Sequence, residues 1–165
     1  MHEAFVCKFV PGKFARHQAI NEVISRAFAS AQVPATKEPT GLSRSDGRRP
    51  GGMTLTPWQN GKALTWDVTV ATTLTDSYIS ASARSAGAAA ELAATRKITK
   101  YCNLPAAYMF QPIALETLGA INSSAGEFLA DLGRKISGIS GETRGAFSFS
   151  AAFHSSAAIQ RDPSA

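Results

Sequence analysis

The chain has 165 residues, 44% of them apolar and 18% charged, with a net charge of +5. That length and composition suit one folded domain and exclude a wholly disordered chain. No run of about 18 apolar residues occurs, so no membrane span is expected. Met1 to Val10, which contains Glu3 and Lys8, does not read as a secretory signal.

Lys13 to Ser30 is expected to be an amphipathic helix, because Ile20, Val23, Ile24, Ala27 and Phe28 recur at helical spacing. Gln32 to Glu38, bounded by Pro34 and Pro39, has room for a short strand carrying Glu38. Thr40 to Gly52 reads as a polar loop rich in Gly, Ser and Arg. A β-hairpin follows. Met53 and Leu55 alternate with Thr54 and Thr56, and Asn60-Gly61 is the pair favoured in type I′ turns. Leu64, Trp66, Val68 and Val70 then alternate with Thr65, Asp67 and Thr69. Asp67 and Thr69 therefore share one face, while the apolar residues take the other and should pack on a helix. Counting outward from the turn sets Asp67 opposite Thr54 and position 51 opposite Val70. A bulge at Pro57 or at Gly51-Gly52 is needed to bring position 51 to the Asp67 face.

Thr73 to Gly87 is polar and small, with Tyr78 and Ile79 as anchors. Ala88 to Tyr101 lacks Gly and Pro and is rich in Ala, a strong helix signal. Its basic residues are Arg96, Lys97 and Lys100, beside an apolar stripe of Ala94, Ile98 and Tyr101. Tyr108 to Leu115 reads as a strand bent, or held at an edge, by Pro112. Ala125, Phe128, Leu129, Leu132 and Ile136 fit another helix, and Ala146 to Arg161 a last one. The expected order is a helix, three strands, a helix, a strand and C-terminal helices, a mixed α/β (α+β) layout. Residues 1–12 form a lead-in, 13–161 the domain and 162–165 a tail.

Cys7 and Cys102 lie far apart and read as free thiols in a reducing intracellular compartment. His2, His17 and His154 are scattered, without zinc-knuckle spacing. Arg44, Arg48 and Arg49 cluster before the hairpin, and Arg134 with Lys135 form a further basic group. Such a balance fits a polyanionic partner, nucleic acid first, or an ordinary basic surface. Asp67 is the leading candidate for chemistry, either as a hard-cation ligand or as a solvated strand residue. Gly-rich phosphate loops and a nucleophile elbow are absent from the sequence. Trp58 and Trp66 read as core residues rather than base-stacking ones.

Arg49-Pro50, then Trp66-Asp67-Val68-Thr69-Val70, then Arg96-Lys97 and Lys100-Tyr101, resemble the motifs of the PD-(D/E)XK nucleases. More closely, the chain resembles the restriction-like endonuclease region of non-LTR retrotransposon polyproteins and related invertebrate proteins. Lys37-Glu38-Pro39, Gly41-Leu42, Ser45-Asp46-Gly47, Glu116-Thr117-Leu118-Gly119 and Ala158-Ile159-Gln160-Arg161 add to the likeness, which spans about His17 to Arg161. The resemblance implies a restriction endonuclease-like core of a helix, a three-stranded meander, a helix and a strand. It implies a DNA endonuclease using Mg²⁺ (or Mn²⁺), which nicks DNA so that a reverse transcriptase of the same parent polyprotein can prime there. It implies Asp67 as metal ligand. From their own positions, Glu38 reads as an accessory acid or a surface acid at a strand end, Asp46 as a partial replacement for the family's first acid, and Glu91 as a further ligand or a helix surface charge. Lys100 and Lys97 would contact the scissile phosphate, and Arg48, Arg49 and Arg96 the DNA backbone. Nuclear action follows if genomic DNA is the target. Position 51 holds Gly where the resemblance implies an acid, and position 69 holds Thr where Lys is usual. A catalytically dead DNA-binding remnant, or a fragment of a decayed retroelement polyprotein, is therefore the alternative reading, and a small α/β interaction domain a third.

Overall fold

Asn60 and Gly61 close the central hairpin at φ of 50° and 70°, the two positive values that a type I′ turn requires. The structure, a computed structural model, describes residues 11–74, 76–142, 151 and 153–155. Its elements are α1 (Pro11–Ser30), β1 (Ala35–Lys37), a 3₁₀ turn (Thr40–Leu42), β2 (Gly52–Gln59), β3 (Lys62–Ala71), α2 (Ile79–Ser82), α3 (Ala88–Lys100), β4 (Tyr108–Glu116) and α4 (Ser123–Ser140). The strands form one four-stranded mixed sheet in the order β1-β2-β3-β4. β1, β2 and β3 make an antiparallel meander, and β4 runs parallel to β3. A parallel partner needs a crossover connection, which the segment carrying α3 supplies. The fold is thus mixed α/β in the expected order. The last helix expected over Ala146 to Arg161 lies largely outside the described residues, although Phe153 is buried in the core.

One face of the sheet carries the larger core. Leu64, Trp66, Val68 and Val70 of β3 and Ile113 and Leu115 of β4 belong to one buried cluster. Ile20, Ile24 and Phe28 of α1 and Phe128 and Leu132 of α4 complete it. Trp66 stacks on Phe28 with ring centroids 4.9 Å apart. Gly52 pairs with Trp66 across the hairpin. A Cβ on Gly52 would lie 2.1 Å from the indole, so only glycine lets the strand pass beneath that ring.

The opposite face is packed with alanine. Ala71 of β3, Ala114 of β4 and Ala89, Ala90, Ala93 and Ala94 of α3 form a second buried cluster. Small side chains let the helix backbone approach the sheet closely. They also take the buried stripe of α3, so Ile98 is turned outward at 53% exposure. Ile79, an expected anchor, is likewise half exposed, while Tyr78 packs against the alanine cluster. Pro112 sits in β4 at the sheet edge, where its missing N–H costs no ladder bond.

The hairpin register departs from the count made outward from its turn. Gln59 pairs with Lys62, but irregularities on either side of Pro57 set Met53 against Thr65 and Gly52 against Trp66. Proline cannot donate to a ladder, and the strand slips there. Thr54 is accordingly not the partner of Asp67. Gly51, the residue before the Gly52–Trp66 pair, is brought beside Asp67 rather than Val70.

Candidate nucleic-acid interface

Asp67 lies on the alanine face of β3 and is buried, 4% exposed. Burying a carboxylate demands a partner. Lys97 supplies it, its ammonium donating to Asp67 Oδ2 at 2.7 Å. Lys97 falls on the same helical stripe as Ala90, Ala93, Ala94 and Tyr101, which is why it points inward. Tyr101, also buried, donates its hydroxyl to the Arg49 carbonyl at 3.1 Å. Burial and the neighbouring Asp67 charge push that hydroxyl above its ordinary pKa. His17 reaches the same centre from α1, where the Val68 backbone and the Asp67 charge favour its protonated form. Burial holds its imidazole below the ordinary value, an effect partly offset by Asp67 and deepened by Lys97.

The cations gather more closely than the acids. Lys100 lies over the Tyr101 ring, 5.0 Å from its centroid, and the Arg44 guanidinium lies 5.9 Å from the same ring. Burial, then the charge of Lys97, hold Lys100 below the ordinary lysine range; Asp67 opposes this, and Arg48 and Arg44 add to it. Among the described residues no carboxylate lies within ion-pair distance of Lys100. Arg49 is exposed and donates to the Glu38 carbonyl at 3.4 Å. Arg96 departs from this group and lies over the Tyr78 ring at 4.9 Å. Arg134 pairs with Asp131, and Lys135 covers Trp58.

The expected acids do not converge. Glu38 follows β1 at φ 48° and is exposed, although its charge is felt at His17. Asp46 is occupied within its own loop: Oδ1 accepts the Arg48 N–H at 3.0 Å and Oδ2 pairs with Arg44 at 3.2 Å. Those contacts, the Arg48 N–H first, hold its carboxyl below the ordinary range. Glu91 turns to the start of α4 and accepts the Ser123 N–H at 2.5 Å. No group of three His, Cys, Asp or Glu side chains able to hold a metal ion occurs among the described residues. With one buried carboxylate, already paired to an ammonium, the donor set does not fit a resident Mg²⁺ or Mn²⁺ ion.

Three residues here escaped sequence reading. His17 faces the centre from a distant helix. Asn21 donates to the Gly51 carbonyl at 3.1 Å and accepts the Trp66 indole N–H at 2.8 Å, fixing position 51 against β3. Glu116 is buried, and its Oε1 accepts the N–H groups of Ala89 and Ala90 at 3.0 and 3.3 Å. It thereby caps α3, whose own N-cap residue is Gly87. An Asn or Glu on a predicted helix or strand end carries no local mark of such roles.

Among the described residues no helix is long and apolar enough to cross a membrane, and Cys102 is a free, exposed thiol. No family model matches the chain, and a search of curated proteins returns no match.

Proposed function

We propose that the chain is a DNA-binding, endonuclease-like domain of retrotransposon origin that grips DNA by its phosphates. The observation that carries this reading is the clustering of cations beside the buried Asp67–Lys97 pair: Arg44 and Lys100 both lie over the Tyr101 ring, and Lys100 has no ion-pair partner among the described residues. A cation held in place without a partner suits a polyanionic backbone and contacts it in a salt-dependent way. The order of elements, the Asp67–Lys97 pair and the motifs around them support the endonuclease-like assignment. Titrating duplex DNA at several salt concentrations tests it. Binding should weaken linearly on a log–log plot, and Lys100→Ala should reduce the slope by about 0.9. Salt-independent binding, or none at low salt, would overturn the reading.

A second reading is Mg²⁺- or Mn²⁺-dependent nicking of DNA, as target-primed insertion by a reverse transcriptase of the parent polyprotein requires. It rests on the order of the motifs around Asp67 alone, since the Asp67–Lys97 pair leaves no donor set for a resident ion among the described residues. Supercoiled DNA incubated with Mg²⁺ separates the two. Nicking lost in Asp67→Ala supports the enzyme, and DNA binding without nicking supports the inactive DNA-binding form. Nicking that appears only in Gly51→Asp would identify position 51 as the cause of inactivity.

A further inference from the structure

The cationic face continues into a cleft between the loop before β2 and the C-terminal end of α3. Its volume is about 300 Å³, the lower end of small-molecule sites at roughly 300–1,000 Å³. Leu42, Leu104 and Pro105 give it apolar walls, and Asn103 gives it a planar amide. Arg44 and Lys100 stand at its other side, both held over the buried Tyr101 ring. Lys100 lies one turn along α3 from Lys97, the partner of Asp67, so the cleft adjoins the proposed phosphate-gripping face at Lys100.

We propose that this cleft receives one unpaired nucleotide of a bound DNA strand, giving the domain a preference for DNA that carries an unpaired base. The inference rests on the DNA-binding reading above and adds the form of DNA selected. The chemistry of the lining matches the parts of a nucleotide. Lys100 takes the phosphate, with Arg44 beside it and paired to Asp46, the apolar walls take the base faces, and the Asn103 amide offers both a donor and an acceptor to a base edge. Continuity through Lys100 argues for a nucleotide of the gripped strand over a free small molecule. A base within a duplex cannot enter a cleft of this kind without leaving the stack. That cost is least where the base is already unpaired.

The test compares a short duplex with the same duplex carrying a one-nucleotide bulge, by fluorescence anisotropy. The wild-type chain should bind the bulged DNA about tenfold more tightly. Leu104→Trp, which fills the cleft from a partly exposed wall, should abolish that preference and leave duplex affinity unchanged, with circular dichroism confirming the fold. Leu104→Ala should keep the preference. Equal wild-type affinity for the two DNAs overturns the cleft proposal alone, as does a preference that survives Leu104→Trp. Binding to neither DNA overturns the DNA-binding reading and the cleft proposal together.

Discussion

Lys97 Nζ stands 2.7 Å from Asp67 Oδ2, with the two side chains only 20% and 6% exposed. A pair this enclosed costs more to break than to replace, because truncating one partner strands the other charge in the interior. Lys97→Met should therefore destabilise the fold by about 3 kcal/mol, the lower end of the range for buried pairs, since Lys97 keeps some contact with water. The double variant Lys97→Met with Asp67→Leu should recover most of that loss. Urea unfolding of the single and double variants reads both effects. A Lys97→Met midpoint equal to wild type would show that the pair contributes nothing.

Asn21 joins α1 to the hairpin through two buried hydrogen bonds, to the Gly51 carbonyl and from the Trp66 indole. Asn21→Ala leaves a buried donor and a buried acceptor without a partner. The expected loss is about 2 kcal/mol, at roughly 1–3 kcal/mol per unsatisfied group with partial relaxation. Asn21→Asp keeps the acceptor for the indole but buries a carboxylate against the Gly51 carbonyl, so its loss at neutral pH should match or exceed that of Asn21→Ala. Thermal or urea unfolding ranks the variants, and wild type most stable with Asp no better than Ala is the outcome expected.

His17 links the centre to pH. Burial lowers its folded-state pKa below the ordinary 6.5, so between the two values the unfolded chain binds more protons than the folded one. Stability then rises with pH through that window and falls as the solution is acidified below about 6.5, by at most about 1.4 kcal/mol per pH unit for one proton. Unfolding free energies at pH 7.5 and pH 5.5 measure the slope. His17→Gln should flatten the part of the slope that His17 contributes, and an unchanged slope in that variant would exclude the assignment.

The elements were legible because their signals are local. Asn60-Gly61 specifies the turn, the alternation from Leu64 to Val70 specifies the apolar face, and the alanine run specifies α3. What escaped depends on contacts between distant segments. The strict count from the turn gave an Asp67–Thr54 pairing, which the slip at Pro57, one of the two bulge sites the sequence offers, removes. Period-two alternation assigned Asp67 to a face but not its burial, because only the docking of α3 decides whether that face meets water. In α3 the alanines are small enough to pack under the sheet, so Ile98 was displaced from the stripe and Lys97 took a place on it. His17, Asn21 and Glu116 act through partners far away in sequence, which no local pattern encodes.

Glu116 sets the position of the helix that carries Lys97 and Lys100. Its buried carboxylate accepts two N–H groups of the first turn of α3, where the helix dipole favours negative charge. Gly87 gives that helix no side-chain cap of its own. Glu116→Gln keeps an acceptor and loses the charge, so its cost should be about 1 kcal/mol. Glu116→Ala removes both and should cost about 2 kcal/mol, leaving N–H groups unsatisfied in the interior. On the proposed DNA-binding reading, in which α3 presents Lys97 and Lys100 to the phosphates, Glu116→Ala should also weaken DNA binding while both lysines remain intact. Its salt slope should fall less than that of Lys100→Ala, since no cation has been removed. Anisotropy titrations of the two variants over the same salt series make that comparison, and equal slopes for Glu116→Ala and Lys100→Ala would refute the positioning role.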